Sequence, residues 1–150
     1  MGGIDDITAL LEKAERLNTE LSDGTLIRNA VVVYEGSVVA SNREQMYRGL
    51  RSDNTRITPD YTPNTIERKQ YNEQPYDRVT LKDTGRFYDE MGIIYGDDSF
   101  EITSEDWKTE KLKEKYGDYI FGLNEQDQDT LAVLIKDVLL EDIYILFNEQ

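Results

Sequence analysis

The chain contains neither cysteine nor histidine, and the two absences remove most familiar chemistry at once. Without cysteine there is no disulfide and no thiolate nucleophile. Without histidine, and with cysteine gone, the usual zinc sites, the Ser-His-Asp and Cys-His systems and an imidazole general base all fall away. Long hydrophobic runs are missing too: nothing approaches the ~20 apolar residues of a membrane span. The opening MGGIDDITALLEKAERLN lacks the basic start and apolar centre of a signal peptide. Asp6 stands where a myristoylation signal beginning Met1-Gly2 needs Ser or Thr. The expectation is a protein made and used in a cytoplasm, without a membrane partner.

Positive charge is in short supply. Lys and Arg number 17 against 31 Asp and Glu, a net charge of −14, which opposes any role that wraps nucleic-acid backbone, because that affinity comes from cations displacing counterions. The imbalance is uneven. From Arg43 to Arg86 nine basic residues meet seven acidic ones, a balance of +2 that leaves −16 for the remainder. A near-neutral middle between acidic ends suits contacts between neighbouring copies; as a plain solvated acidic surface it needs no further explanation.

What is present suffices for one domain over residues 1–150: 38% hydrophobic residues in periodic segments. Ile4, Ile7, Leu10, Leu11, Ala14 and Leu17 recur at helical spacing, so residues 1–24 read as an N-terminal amphipathic helical segment, its first turn favoured by Asp5 and Asp6, with mobility expected at the ends. Residues 25–50 are ambiguous, since Ala30 to Tyr34 has strand character while Ile27, Val31, Tyr34, Val38 and Gln45 suit one helical stripe. One long helix is the favoured reading, weakened by Gly36. Residues 51–78 are rich in Asn, Asp, Thr, Tyr and all three prolines, and predict a long ordered loop with a short helix at 64–70. Val79 to Leu81 reads as a short strand or extended approach. Asp83-Thr84-Gly85 reads as a structural turn in which Asp83 or Thr84 caps a helical turn over 86–90. Gly96-Asp97-Asp98 joins two alternating segments into a hairpin. Ser104 predicts the N-cap of a helix to Tyr116 ended by Gly117. Tyr119 to Leu123 is an apolar bridge, and Asn124 opens a final amphipathic helix to about Phe147. The sum is an α+β fold, with N- and C-terminal amphipathic helices around a small antiparallel sheet and a long Pro/Tyr loop.

Candidate chemistry is thin. The acidic pairs Asp5-Asp6, Asp97-Asp98, Glu105-Asp106 and Glu141-Asp142 lack the alternating spacing and glycine of a calcium loop, and read as turn formers and helix-start charges. The isolated Gly85 makes no phosphate cradle. Arg68-Lys69 with Tyr71, and Arg86 with Phe87 and Tyr88, have the residue types that stack on single strands, but at −14 they read as packing aromatics with charged flanks. No catalytic, metal or cofactor residues are therefore expected. Contact residues are expected at Pro59, Tyr61, Pro63, Tyr71, Tyr76, Trp107 and Phe121, where rigid or aromatic side chains suit packing against a partner.

The stretch from Gly49 to Met91 carries one further signal. Gly49 is followed by ITPDYTPNTIERK (Ile57 to Lys69) and then by LKDTGRF (Leu81 to Phe87). This order resembles the bacteriophage virion-morphogenesis, or tail-completion, proteins of the head–tail junction. Gly49, Ile57, Pro59, Tyr61, Thr62, Pro63, Thr65, Ile66 and Lys69 match that family's loop, and Leu81, Asp83, Thr84, Gly85 and Phe87 match its turn. The chain departs from it at KTEKLKEKYGDYIFGL (Lys108 to Leu123), where many members carry a histidine-containing segment. Asp-Thr-Gly also evokes aspartic proteases, but Lys82 and Arg86 around it fit that motif poorly. The resemblance implies a non-catalytic structural protein of the head–tail connector or neck, assembled in the bacterial host cytoplasm into the virion. It would bind the connector, tail tube or terminator, form a homo-oligomer or ring, and take no cofactor. It implies no sequence-specific nucleic-acid binding, although a place beside the DNA channel suits an acidic surface. Two rival readings stand beside it: an acidic phage-encoded binding or inhibitor protein, and a carboxylate-dependent metal enzyme.

Overall fold

The computed structural model describes residues 3–97 and 99–148. Met1, Gly2 and Asp98 lie outside the described residues, as do the side chains of Ile4, Asp5 and Asp6. Seven α-helices and a two-stranded antiparallel hairpin form one small α+β domain among the described residues. In chain order, α1 (Gly3–Ser22), α2 (Thr25–Val33), α3 (Glu35–Tyr47), α4 (Pro63–Tyr71) and α5 (Arg86–Asp89) precede β1 (Met91–Tyr95) and β2 (Phe100–Ser104). A helix α6 (Thr109–Tyr116), a 3-10 turn (Asp118–Ile120) and α7 (Glu125–Asn148) follow. Among the described residues no helix is long and apolar enough to cross a membrane.

The core gathers residues far apart in sequence. Val38, Val39 and Met46 of α3 meet Ile57, Val79, Phe87, Ile102, Tyr116, Ile120 and Leu131 in one apolar cluster. Each such burial contributes about 1.5–3 kcal/mol. Two fully buried amides tie α3 to the end of the 3-10 turn and the chain just after it: the Asn42 amide donates to the Ile120 carbonyl (3.0 Å) and accepts from the Gly122 N–H (3.1 Å), and Gln45 donates to the Gly122 carbonyl (3.3 Å). Outside this cluster, α1, α2 and α7 pack on one another. On α7 only Leu131, in its second turn, is buried.

The expected single helix over 25–50 is two. The break falls at Tyr34 (φ −105°, ψ 11°), whose N–H bonds to the Val31 carbonyl three residues back. A run of three β-branched residues, Val31 to Val33, weakens the helix there. The bend separates what the periodicity joins: Ile27 is exposed, whereas Val31, Val38 and Gln45 are buried. A single straight stripe could not have reached both α7 and residues 120–122.

The hairpin forms as expected, in the register Met91 to Ser104 through Tyr95 to Phe100. The helix after it does not start at Ser104. Ser104 ends β2, where its hydroxyl donates to the Phe87 carbonyl (2.8 Å) and accepts from the Asp106 N–H (3.3 Å). The buried Asp106 forms the turn that leads into the helix, its carboxylate accepting from the Lys108 N–H (2.7 Å), and with Lys108 at the N-cap position α6 begins four residues later than Ser104 implies. Gly117 terminates it with φ +91°, and the Asn124 side chain accepts from the Asp127 N–H (2.8 Å) to open α7. Residues 79–81 form no strand, and Leu81 stands in the left-handed region at φ +57°.

Candidate functional site

The two halves of the Gly49–Met91 stretch lock into one unit. Thr62 caps α4, accepting from the Thr65 N–H at 3.4 Å, with Pro63 in the first turn where its missing N–H costs nothing. That orientation turns Lys69 inward, where it is 3% exposed. Its ammonium donates to the Lys82 carbonyl (2.7 Å) and to Gln74 Oε1 (3.4 Å), and lies 4.9 Å from the Tyr61 ring centre. Gln74 donates in turn to the Asp83 carbonyl (2.9 Å). The Tyr61 hydroxyl accepts from the Thr80 N–H (2.9 Å), and the Tyr88 hydroxyl donates to the Thr80 carbonyl. Burial pushes the Tyr88 phenol well above its ordinary value.

Glycine is required at two places in this unit. Gly49 sits at φ +77° with Arg78 Cβ only 3.0 Å from where a Cβ would stand, and Gly85 sits at φ +94°. Gly85, not Asp83 or Thr84, occupies the N-cap position of α5. Thr84 still accepts the Arg86 N–H at 3.4 Å, whereas the Asp83 carboxylate lies 3.9 Å from Lys108 Nζ. The long loop is pinned by Arg51, which donates to the carbonyls of Tyr116 (2.9 Å), Arg56 and Thr58 (2.9 Å).

The expected contact residues fall into two groups. Tyr71 is 89% exposed and Trp107 64%, and Tyr76, Pro59 and Pro63 are also exposed. Lys108 and Lys111 lie over the Trp107 ring at 5.6 and 5.2 Å. Tyr61 and Phe121 are half-buried, Tyr61 within the motif unit and Phe121 against Phe87 at 5.7 Å between ring centres. Of the acidic pairs with both side chains described, Glu105 is exposed while Asp106 is buried and bonded. Among the described residues no three metal-ligating side chains cluster.

Two surfaces lie outside the motif unit. The apolar face of α1 is largely in solvent, with Ile7, Leu10 and Leu11 exposed, and Val32, Val33, Val133, Leu140 and Tyr144 on α2 and α7 are exposed as well. A groove of about 590 Å³ runs between β2 and α7, lined mainly by Phe100, Ile102, Phe121, Leu131 and Ile135. Comparison with models of known protein families, with curated proteins and with solved structures finds no match.

Sequence reasoning missed the residues that organise this region from inside. Lys69 belongs to the family-like loop but carries no signal of burial, because a lysine beside an arginine on a short helix reads as solvated. Asn42 and Gln45 gave only a faint one: polar residues on the face that also carries Val38 and Met46.

Proposed function

We propose that the chain is a bacteriophage structural protein of the head–tail connector or neck region, a tail-completion or head–tail joining component that acts by protein–protein assembly and not by catalysis. The observation that carries this reading is where the family-like residues sit. Ile57, Tyr61, Thr62, Lys69, Leu81, Gly85 and Phe87 bond or pack within one scaffold, which is what a pattern shared for fold and assembly requires. The surfaces left over are apolar helix faces and exposed Tyr71, Tyr76 and Trp107, which suit contact with proteins. Partners would be other neck or tail proteins and further copies of the chain in a ring, whose heterologous interfaces join two different patches. At −14, a surface facing the DNA channel would repel the duplex and let it slide.

The test is loss of the chain from a producing phage. The expected result is filled heads and separate tails, with the chain found at the junction of complete particles by immunogold labelling. Infectious particles that lack the chain would overturn the reading and favour the acidic binding-protein alternative.

A further inference from the structure

We infer that the outer edge of β2 accepts an extended segment of another protein, one in which apolar residues alternate with Lys or Arg. The inference rests on backbone geometry and charge, and is independent of the head–tail reading. In an antiparallel pair, residues that exchange hydrogen bonds alternate with residues that do not. The Gly96 N–H bonds to the Ser99 carbonyl at 2.8 Å, and the Glu105 N–H to the Glu90 carbonyl at 3.1 Å. With the observed register these bonds set the phase: Glu101 and Thr103 face β1, and Phe100, Ile102 and Ser104 point their N–H and C=O groups away from it. The Ser104 carbonyl is taken by the Thr109 hydroxyl at 2.9 Å. The backbone groups of Phe100 and Ile102 have no partner among the described residues, although Ile102 is 4% exposed and buried backbone groups are nearly always paired.

The groove lies along this edge. Successive strand residues project to opposite faces, yet Phe100, Glu101 and Ile102 all line it, and only a groove beside the edge meets both faces. Its far wall is Phe121, Leu131 and Ile135. A strand laid about 4.8 Å from β2 would satisfy the open backbone groups and set every second side chain against that wall.

Charge selects the occupant. Glu101 and Asp118 line the groove, and Lys113 is held near Asp118 (3.8 Å) and Glu110 (4.0 Å), so the groove favours cations between the apolar positions. A second copy is disfavoured, because each copy carries −14.

The test selects a random twelve-residue peptide library on the full chain and measures synthetic versions of the enriched peptides by fluorescence anisotropy. Enriched sequences should alternate apolar residues with Lys or Arg. N-methylating every second amide should weaken binding at least tenfold in one phase and under twofold in the other, and bound peptide should slow amide exchange at Phe100 and Ile102 at least tenfold. Ala132→Arg, at an exposed groove position, should weaken binding at least fivefold with an unchanged circular dichroism spectrum, and the uncharged Ile94→Thr on β1 should leave it unchanged. The inference is overturned by no enrichment, by a consensus spaced at three and four, or by N-methylation without phase dependence. It is equally overturned if the Phe100 and Ile102 amides of the protein alone become protected as its concentration rises, which would mean that a second copy fills the edge.

Discussion

Two parts of this chain place apolar residues in opposite ways. Between residues 38 and 123, Met46, Ile57, Val79 and Ile120 are completely inaccessible and pack in one cluster. In α1 the apolar stripe is as regular, yet Leu11 is 59% exposed, and along α7 beyond Leu131 the stripe is only partly covered while Leu140 beside it is 56% exposed. The difference teaches that an amphipathic period states which side of a helix is apolar and not what covers it. Here three helices share a partial contact that leaves the α1 stripe largely in solvent and the α7 stripe half-covered, whereas the inner block is closed by groups tied from several directions.

The sharpest break of that comparison is Ile57→Ala. A cavity at a completely buried site should destabilise the chain by about 2–5 kcal/mol in urea unfolding. Lys69→Met comes next, at about 1–3 kcal/mol, because it strips the donor from the buried contact with the Lys82 carbonyl; full stability in that variant would remove Lys69 from the scaffold. Gly49→Ala forces a Cβ into a left-handed conformation against Arg78 and should cost about 1–2 kcal/mol on the same readout.

A pH titration sharpens the contrast further. The folded chain keeps the Tyr88 phenol protonated at pH values where the unfolded chain, near 10, releases the proton. Its stabilising contribution is therefore complete below pH 10 and falls as pH rises above it, by up to about 1.4 kcal/mol per pH unit. Tyr88→Phe should flatten that slope; an unchanged slope would place the alkaline sensitivity elsewhere. Smallest of all, Leu10→Ser in α1 should shift stability by no more than about 0.5 kcal/mol. A loss above 2 kcal/mol there would erase the distinction between the two regions.

Much of this architecture was legible. The hairpin announced itself through Gly96-Asp97 between alternating segments, and α7 through Asn124 followed by a long apolar period, because both signals are local. The start of α6 was not, since Ser104 has the right side chain for a cap but is held in β2 by the Phe87 carbonyl. The break at Tyr34 was only half legible: Val31 to Val33 weakens the helix there, but the helical period runs through it and nothing local fixes where the bend falls. Tyr71, Tyr76 and Trp107 could be picked as exposed aromatics from their polar surroundings. Tyr61 looked the same in sequence and Phe121 lay in an apolar bridge, and the inward placement of the two depends on Thr80 and Phe87, which no local pattern links to them.

The amide clamp from α3 also orders events in time. Asn42 and Gln45 close on Ile120 and Gly122, partners 77 to 80 residues downstream. During synthesis from the N-terminus, α1 to α3 emerge long before the segment that completes the core exists, and contacts of such separation form slowly because a long loop must first be closed. A ribosome stalled before residue 120 would display the apolar face of α3, with Val38, Val39 and Met46 uncovered, as a target for chaperones; release of the chain past Leu123 would withdraw it.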